Sequence, residues 1–178
     1  MNIPETLNVS RQGETEILIT RMFEAPRHLV FDAHTKPELL KRWLGVRGGW
    51  TLAICEIDLK VGGAYRYVWR NESKNLDMGA GGVYREVTPP ELLVCTERFD
   101  YPWYSGEALN TTVLDEQAGR TSLTLTVRYE SHDARETVLK SGMECGLAES
   151  YNALAELLAI ADYDERVMSL DVPPAAGT

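Results

Sequence analysis

Six ionisable residues, Glu56, Arg66, Arg70, Glu86, Glu97 and Arg98, fall in segments that read as β-strands. They are the side chains best placed to do acid–base chemistry inside a fold. Alternation decides which of them can point inward. If Tyr65, Tyr67 and Trp69 face the interior, Arg66 and Arg70 face solvent. Glu97 shares its face with Leu93, Cys95 and Phe99, so it is the carboxylate expected inside. A desolvated Glu has a raised pKa and can serve as general acid or base. Such a group more often pairs with an arginine or points at a cavity mouth, which leaves Glu97 a weak catalytic candidate. Metal chemistry has less support. His28, His34 and His132 are the histidines, and no HxH, HExxH or paired CxxC occurs. Gly79-Ala80-Gly81-Gly82 lacks the following Lys-Ser/Thr of a phosphate loop and leads into a strand, so it reads as turn and bulge glycine. Neither a metal nor a cofactor is expected.

A second group of residues is suited to holding an apolar molecule. Trp43, Tyr65, Tyr67, Trp69 and Phe99 could wall a pocket opposite Gly142, Met143, Gly146, Tyr151 and Leu154 of a late helical segment. Gly142 and Gly146 lie one turn apart on or beside its apolar stripe, where each costs about 1 kcal/mol relative to Ala. Either they leave space for a ligand, or they admit a sheet aromatic such as Trp69 or Tyr67. Trp103 and Tyr104 fall in a loop, where they could flank a pocket mouth or make a homodimer contact.

The elements that must position these residues follow from hydrophobic periodicity. Glu14–Glu24 alternates as a strand, and short helices are expected over His28–His34 and from Pro37 to Gly45. Thr51–Leu59, Ala64–Arg70, Met78–Val87, Leu92–Phe99, Ala108–Asp115 and Arg120–Glu130 read as strands joined by tight turns. Such close strands must pair antiparallel, because no crossover helix fits between them. The period then becomes helical, with Ser131 or Asp133 as cap and one helix predicted from Ala134 to about Ala161. The pattern predicts an α+β domain over residues 14–161, a curved antiparallel sheet of about six or seven strands around the long C-terminal helix. Residues 1–13 read as an N-terminal extension and 162–178 as a frayed tail.

Composition narrows the function classes. Eighteen basic residues against 27 acidic ones give a net charge of -9, which disfavours nucleic acid and anionic lipid surfaces as partners. Lys41, Arg42 and Arg47 are the densest basic group and read as a solvated face. The N-terminus lacks the pattern of a signal peptide, and no run approaches a membrane span. Cys55, Cys95 and Cys145 are odd in number and far apart, which fits a reducing, cytoplasmic setting with each thiol a small buried hydrophobe.

Five fragments carry a family resemblance in order along the chain: FEAPRHLVFDAHTKPELLKRWLG, EIDLKVGGAYRY, GGVYREVTPPELLVCTERF, TTVLDEQAGRTSLTLTVRY and LKSGMECGLAESYNALAELLA. Together they resemble the activator-of-heat-shock-ATPase-like family of the SRPBCC, or START-like, superfamily. The resemblance implies a helix-grip fold. It also implies an apolar cavity, since members of that superfamily with known roles bind or process hydrophobic molecules there. A chaperone partner is not carried over. The eukaryotic co-chaperone that names the family makes much of that contact through a separate N-terminal domain, for which this chain has no room. The leading expectation is a small-molecule-binding protein for a hydrophobic or aromatic ligand. The alternatives are a cyclase- or hydrolase-like enzyme using a pocket Glu, and a chaperone-associated interaction protein.

Overall fold

The computed structural model describes residues 6–170. Strands β1 (Asn8–Gln12), β2 (Glu16–Phe23), β3 (Trp50–Ile57), β4 (Ala64–Asn71), β5 (Leu76–Thr88), β6 (Leu92–Phe99), β7 (Ala108–Gln117) and β8 (Arg120–Arg128) form one sheet. Its order is β1-β2-β8-β7-β6-β5-β4-β3, and every neighbouring pair is antiparallel. Helices α1 (Arg27–Thr35) and α2 (Pro37–Leu40) separate β2 from β3, while α3 (His132–Lys140) and α4 (Met143–Leu170) follow the sheet. Register shifts between Leu52 and Ile54 and between Tyr84 and Glu86 interrupt the ladders. Irregularities of this kind bend the strand that carries them and help the sheet to curl.

Alternation sets the inner face. In β2, Ile17, Ile19, Arg21 and Phe23 are buried, and the first three lie opposite Val127, Leu125 and Leu123 of β8. Tyr151, Leu154, Leu157 and Leu158 of α4 close over this face. Phe23 meets Tyr151 edge-on at 5.7 Å, and Trp43 stacks on the same ring at 6.1 Å. Burying each of these large side chains contributes about 1.5–3 kcal/mol, which is what holds the helix against the sheet.

The sequence predicts one helix from Ala134 to Ala161, but the structure has two. Ser131 caps α3 by accepting the Ala134 N–H at 3.0 Å. The chain then breaks at Ser141 and Gly142, where Gly142 adopts φ +77°. A side chain there would meet no neighbouring atom, so the requirement is conformational. Gly142→Ala should therefore destabilise the protein by about 1–2 kcal/mol, read as a lower urea midpoint with an unchanged slope.

Helix α4 also runs to Leu170, through residues read from sequence as tail. Its last turns need little apolar burial, because side-chain pairs hold them: Arg166 to Asp162 at 2.9 Å and His28 to Glu165 at 2.9 Å. Residues 171–178 of that tail lie outside the described residues. The eighth strand is β1, within the segment read as an N-terminal extension, whose first five residues lie outside the described ones. Its residues are mostly exposed, so pairing with β2 rather than hydrophobic patterning makes it a strand.

The buried Arg135 fastens this hairpin to α3. It donates to the carbonyls of Gly13 and Glu16 at 3.1 and 3.2 Å and pairs with Glu136, which pairs with Arg11 at 2.8 Å. The hydrogen bonds from Arg11 and the nearby positive charges hold the Glu136 carboxyl down at about 2. A carboxylate with a depressed folded-state pKa stabilises the fold above the ordinary carboxylate range, and loses that contribution as pH falls toward its own pKa. Glu136→Gln should accordingly lower the thermal midpoint at pH 7, and thermal scans should show the gap to wild type closing between about pH 4.5 and 2.

Candidate functional site

The inner face of β4–β8 places aromatic and polar side chains side by side. Tyr65, Tyr67 and Trp69 alternate along β4, and Cys55 lies directly across from Tyr67 on β3. On the other flank Ala80 pairs with Phe99, Tyr84 with Cys95, Cys95 with Asn110 and Glu97 with Ala108. Glu97 therefore joins Tyr67, Cys95, Asn110 and Phe99 on the concave side, while Arg66 and Arg70 turn outward to pair with Asp100 and Asp77. Glu56, Glu86 and Arg98 are exposed.

The middle of this face keeps some accessible surface. Tyr67, Cys95, Glu97, Asn110 and Leu125 are only half-buried, although they sit on central strands beneath the helices. Met143 and Leu147 of α4 are half-buried as well. Interior side chains on a sheet can keep accessible surface only if there is space on the concave side. At the sheet's β4–β5 end lies an open cleft of about 530 Å³, lined by Trp69, Met78, Phe99, Trp103, Met143 and Leu147 among others. This volume lies in the range of small-molecule sites, about 300–1,000 Å³.

Of the ten residues expected to line a site, Trp69, Phe99, Gly142, Met143 and Gly146 border the cleft. Tyr65 and Tyr67 lie deeper on the same face. Tyr65 gives its hydroxyl to the Thr96 carbonyl at 2.6 Å, and its ring lies 4.9 Å from that of Tyr67. Trp43, Tyr151 and Leu154 are packed core. Trp43 donates its indole N–H to the Ala33 carbonyl at 2.9 Å and packs on His34, so it anchors α1 to the turn after α2. Trp103 is 43% exposed at the cleft edge, whereas Tyr104 is buried edge-on against Tyr129 at 5.2 Å.

Gly146 has a different reason from either of the two expected. A Cβ there would lie 2.6 Å from the guanidinium of Arg47, which crosses the helix to pair with Glu149 at 3.1 Å. Arg47, which the sequence places in a solvated basic group, thus forms one wall of the cleft. Asn110 was also not singled out by sequence. Its signal is a polar residue at an inward position between Ala108 and Leu114.

Burial pushes the Glu97 carboxyl up, and a hydrogen bond from Asn110 opposes the shift. Burial also raises the thiols of Cys55 to about 11 and Cys95 to about 12. Neither is a nucleophile at neutral pH, since the thiolate is the reactive form. Cys145 is exposed, against the expectation of a buried thiol for all three cysteines. Among the described residues, no group of three or more His, Cys, Asp or Glu is arranged to hold a metal ion, and no helix is long and apolar enough to cross a membrane.

Residues 24–159 match the family described as Activator of Hsp90 ATPase homolog 1-like protein. No curated protein matches the chain. A crystal structure of a Rhodobacter sphaeroides protein superposes with a TM-score of 0.81 at 30% identity, covering 86% of this chain and 98% of that one. A Nitrosomonas europaea protein gives 0.73 at 24% identity over 85% and 98% of the two chains. A Mycobacterium smegmatis protein gives 0.75 at 21% identity over 87% and 97%. The last two likenesses speak for the fold alone.

Proposed function

We propose, from the premise that this chain belongs to the Activator of Hsp90 ATPase homolog 1-like family, that it is a small-molecule-binding protein. Its ligand is hydrophobic or aromatic and lies between the sheet and the start of α4. The observation that carries this reading is the open cleft at Trp69, Phe99 and Leu147, on the side of the sheet where Tyr67 and Leu125 stay only half-buried. An apolar guest there would replace water against aromatic walls at about 25 cal/mol per Å² of surface removed from solvent.

Glu97 favours a second reading, in which the raised carboxyl is a general acid or base. The cluster offers such an acid no activated nucleophile, because both nearby thiols stay protonated. A carrier therefore accounts for more of the site than an enzyme does.

Titration with phenylnaphthylamine, a diarylamine dye that stays uncharged at neutral pH, tests the carrier reading. Saturable one-to-one fluorescence enhancement supports it. Weak, unsaturable enhancement equal to that of an unrelated acidic protein would refute it.

A further inference from the structure

We propose that the ligand of this cavity is an apolar amine, whose ammonium group is held by Glu97 and Asn110 among the tyrosines of the inner face. This rests on the carrier reading and adds the ligand's chemistry.

Three observations lead to it. First, Glu97 is an interior acid with no basic side chain found bonded to it, since the buried Arg21 of β2 bonds Asn152 of α4. Glu97 lies on the concave side opposite Ala108, diagonal to Asn110 on the neighbouring strand. An isolated buried carboxylate is expensive, and a cation brought in by a ligand would offset that penalty.

Second, Asn110 Oδ1 is buried with no hydrogen-bond partner among the described residues. Strand register sets it diagonal to Glu97 on the same face, so two acceptors neighbour each other there. Buried acceptors are normally satisfied. A primary or secondary ammonium supplies at least two N–H donors and one positive charge, which matches both.

Third, the surroundings are tyrosine. Tyr65 and Tyr67 pack at 4.9 Å on the inner face, and Tyr104 packs on Phe99, two residues beyond Glu97, at 6.3 Å and on Tyr129 at 5.2 Å. Tyr65 gives its hydroxyl to the Thr96 carbonyl. That hydroxyl is thereby occupied, so its ring offers a face and an edge more than a donor. Aromatic faces around a carboxyl attract a cation. An anionic group at this spot would meet the same acid and the same orphan acceptor, while Arg47 of the cleft wall is already paired with Glu149. The cleft above, lined by Phe99, Trp103 and Leu147, would take the apolar remainder of the amine.

Calorimetric titration with three matched naphthyl compounds tests this: naphthylethylamine, naphthylethanol and naphthylacetate. The wild type should bind the amine about tenfold or more tighter than the alcohol, and the acetate should bind weakest. In Glu97→Gln the amine should fall to within about twofold of the alcohol. Equal binding of amine and alcohol by the wild type would overturn the proposal, as would an amine preference that survives Glu97→Gln. If Glu97→Gln does not fold, Glu97→Asp, which draws the carboxyl back by one methylene, must reduce the preference. Failure of the alcohol and of phenylnaphthylamine to bind would instead remove the cavity reading itself. The two failures are therefore distinct.

Discussion

Gly82→Val is expected to lose about 3 kcal/mol or more of stability, with a large drop in urea midpoint. The reason is a close approach between strands. A Cβ on Gly82 would fall on the backbone oxygen of Thr96, and 2.9 Å from its hydroxyl. No side-chain rotation relieves a clash with backbone, so β5 and β6 would have to separate. That separation would break the bond from the Val83 N–H to the Thr96 hydroxyl at 3.0 Å, and the 2.6 Å bond from the Tyr65 hydroxyl to the Thr96 carbonyl. Thr96 adjoins Glu97, so the same glycine that lets the strands approach also sets where the interior carboxyl stands. A midpoint within error of wild type would show that the sheet accommodates the branch and that this close approach is dispensable.

Gly146→Leu should behave in the opposite way, leaving the fold intact and weakening ligand binding. The atom in its path is the tip of Arg47, a flexible side chain that can swing into solvent. Losing the exposed Arg47–Glu149 pair removes about 0–1 kcal/mol, and replacing a helical glycine returns about as much. The net change in stability should be close to zero. Binding is another matter, because the new isobutyl group occupies the cleft between Met143 and Trp69. Phenylnaphthylamine affinity should fall about tenfold or more, since the group takes the volume the guest needs. Unchanged affinity together with unchanged stability would move the ligand away from the start of α4.

These two glycines show where the sequence is informative and where it stops. The alternation of Leu123, Leu125 and Val127 with Ser122, Thr124 and Thr126 predicts β8 and its buried face, and the structure pairs that face with β2. The same parity argument places Glu97 inside. What cannot be read locally is which distant atom faces a glycine. Gly142 and Gly146 look alike in sequence, yet the first ends a helix with a positive φ, while the second makes room for an arginine from the loop before β3. The expectation of one unbroken helix fails for this reason, since its apolar stripe continues across the break. Trp43, Tyr151 and Leu154 carry the composition of a pocket wall, but neighbours far along the chain pack them into core. Asn110 becomes notable only when strand register sets it beside Glu97. The extra turns of α4 and the strand β1 rest on side-chain pairs and strand pairing, to which hydrophobic periodicity is blind.

The account depends on one physical claim, that the space between the inner face of the sheet and the start of α4 admits an apolar guest. A crystal structure of the protein with phenylnaphthylamine tests it most directly. The account predicts density for the dye bounded by Trp69, Phe99, Met143 and Leu147, with one end reaching toward Tyr67 and Glu97. Dye density confined to the outer face of the sheet, with Leu147 closed onto Phe99 and no space between them, would contradict it.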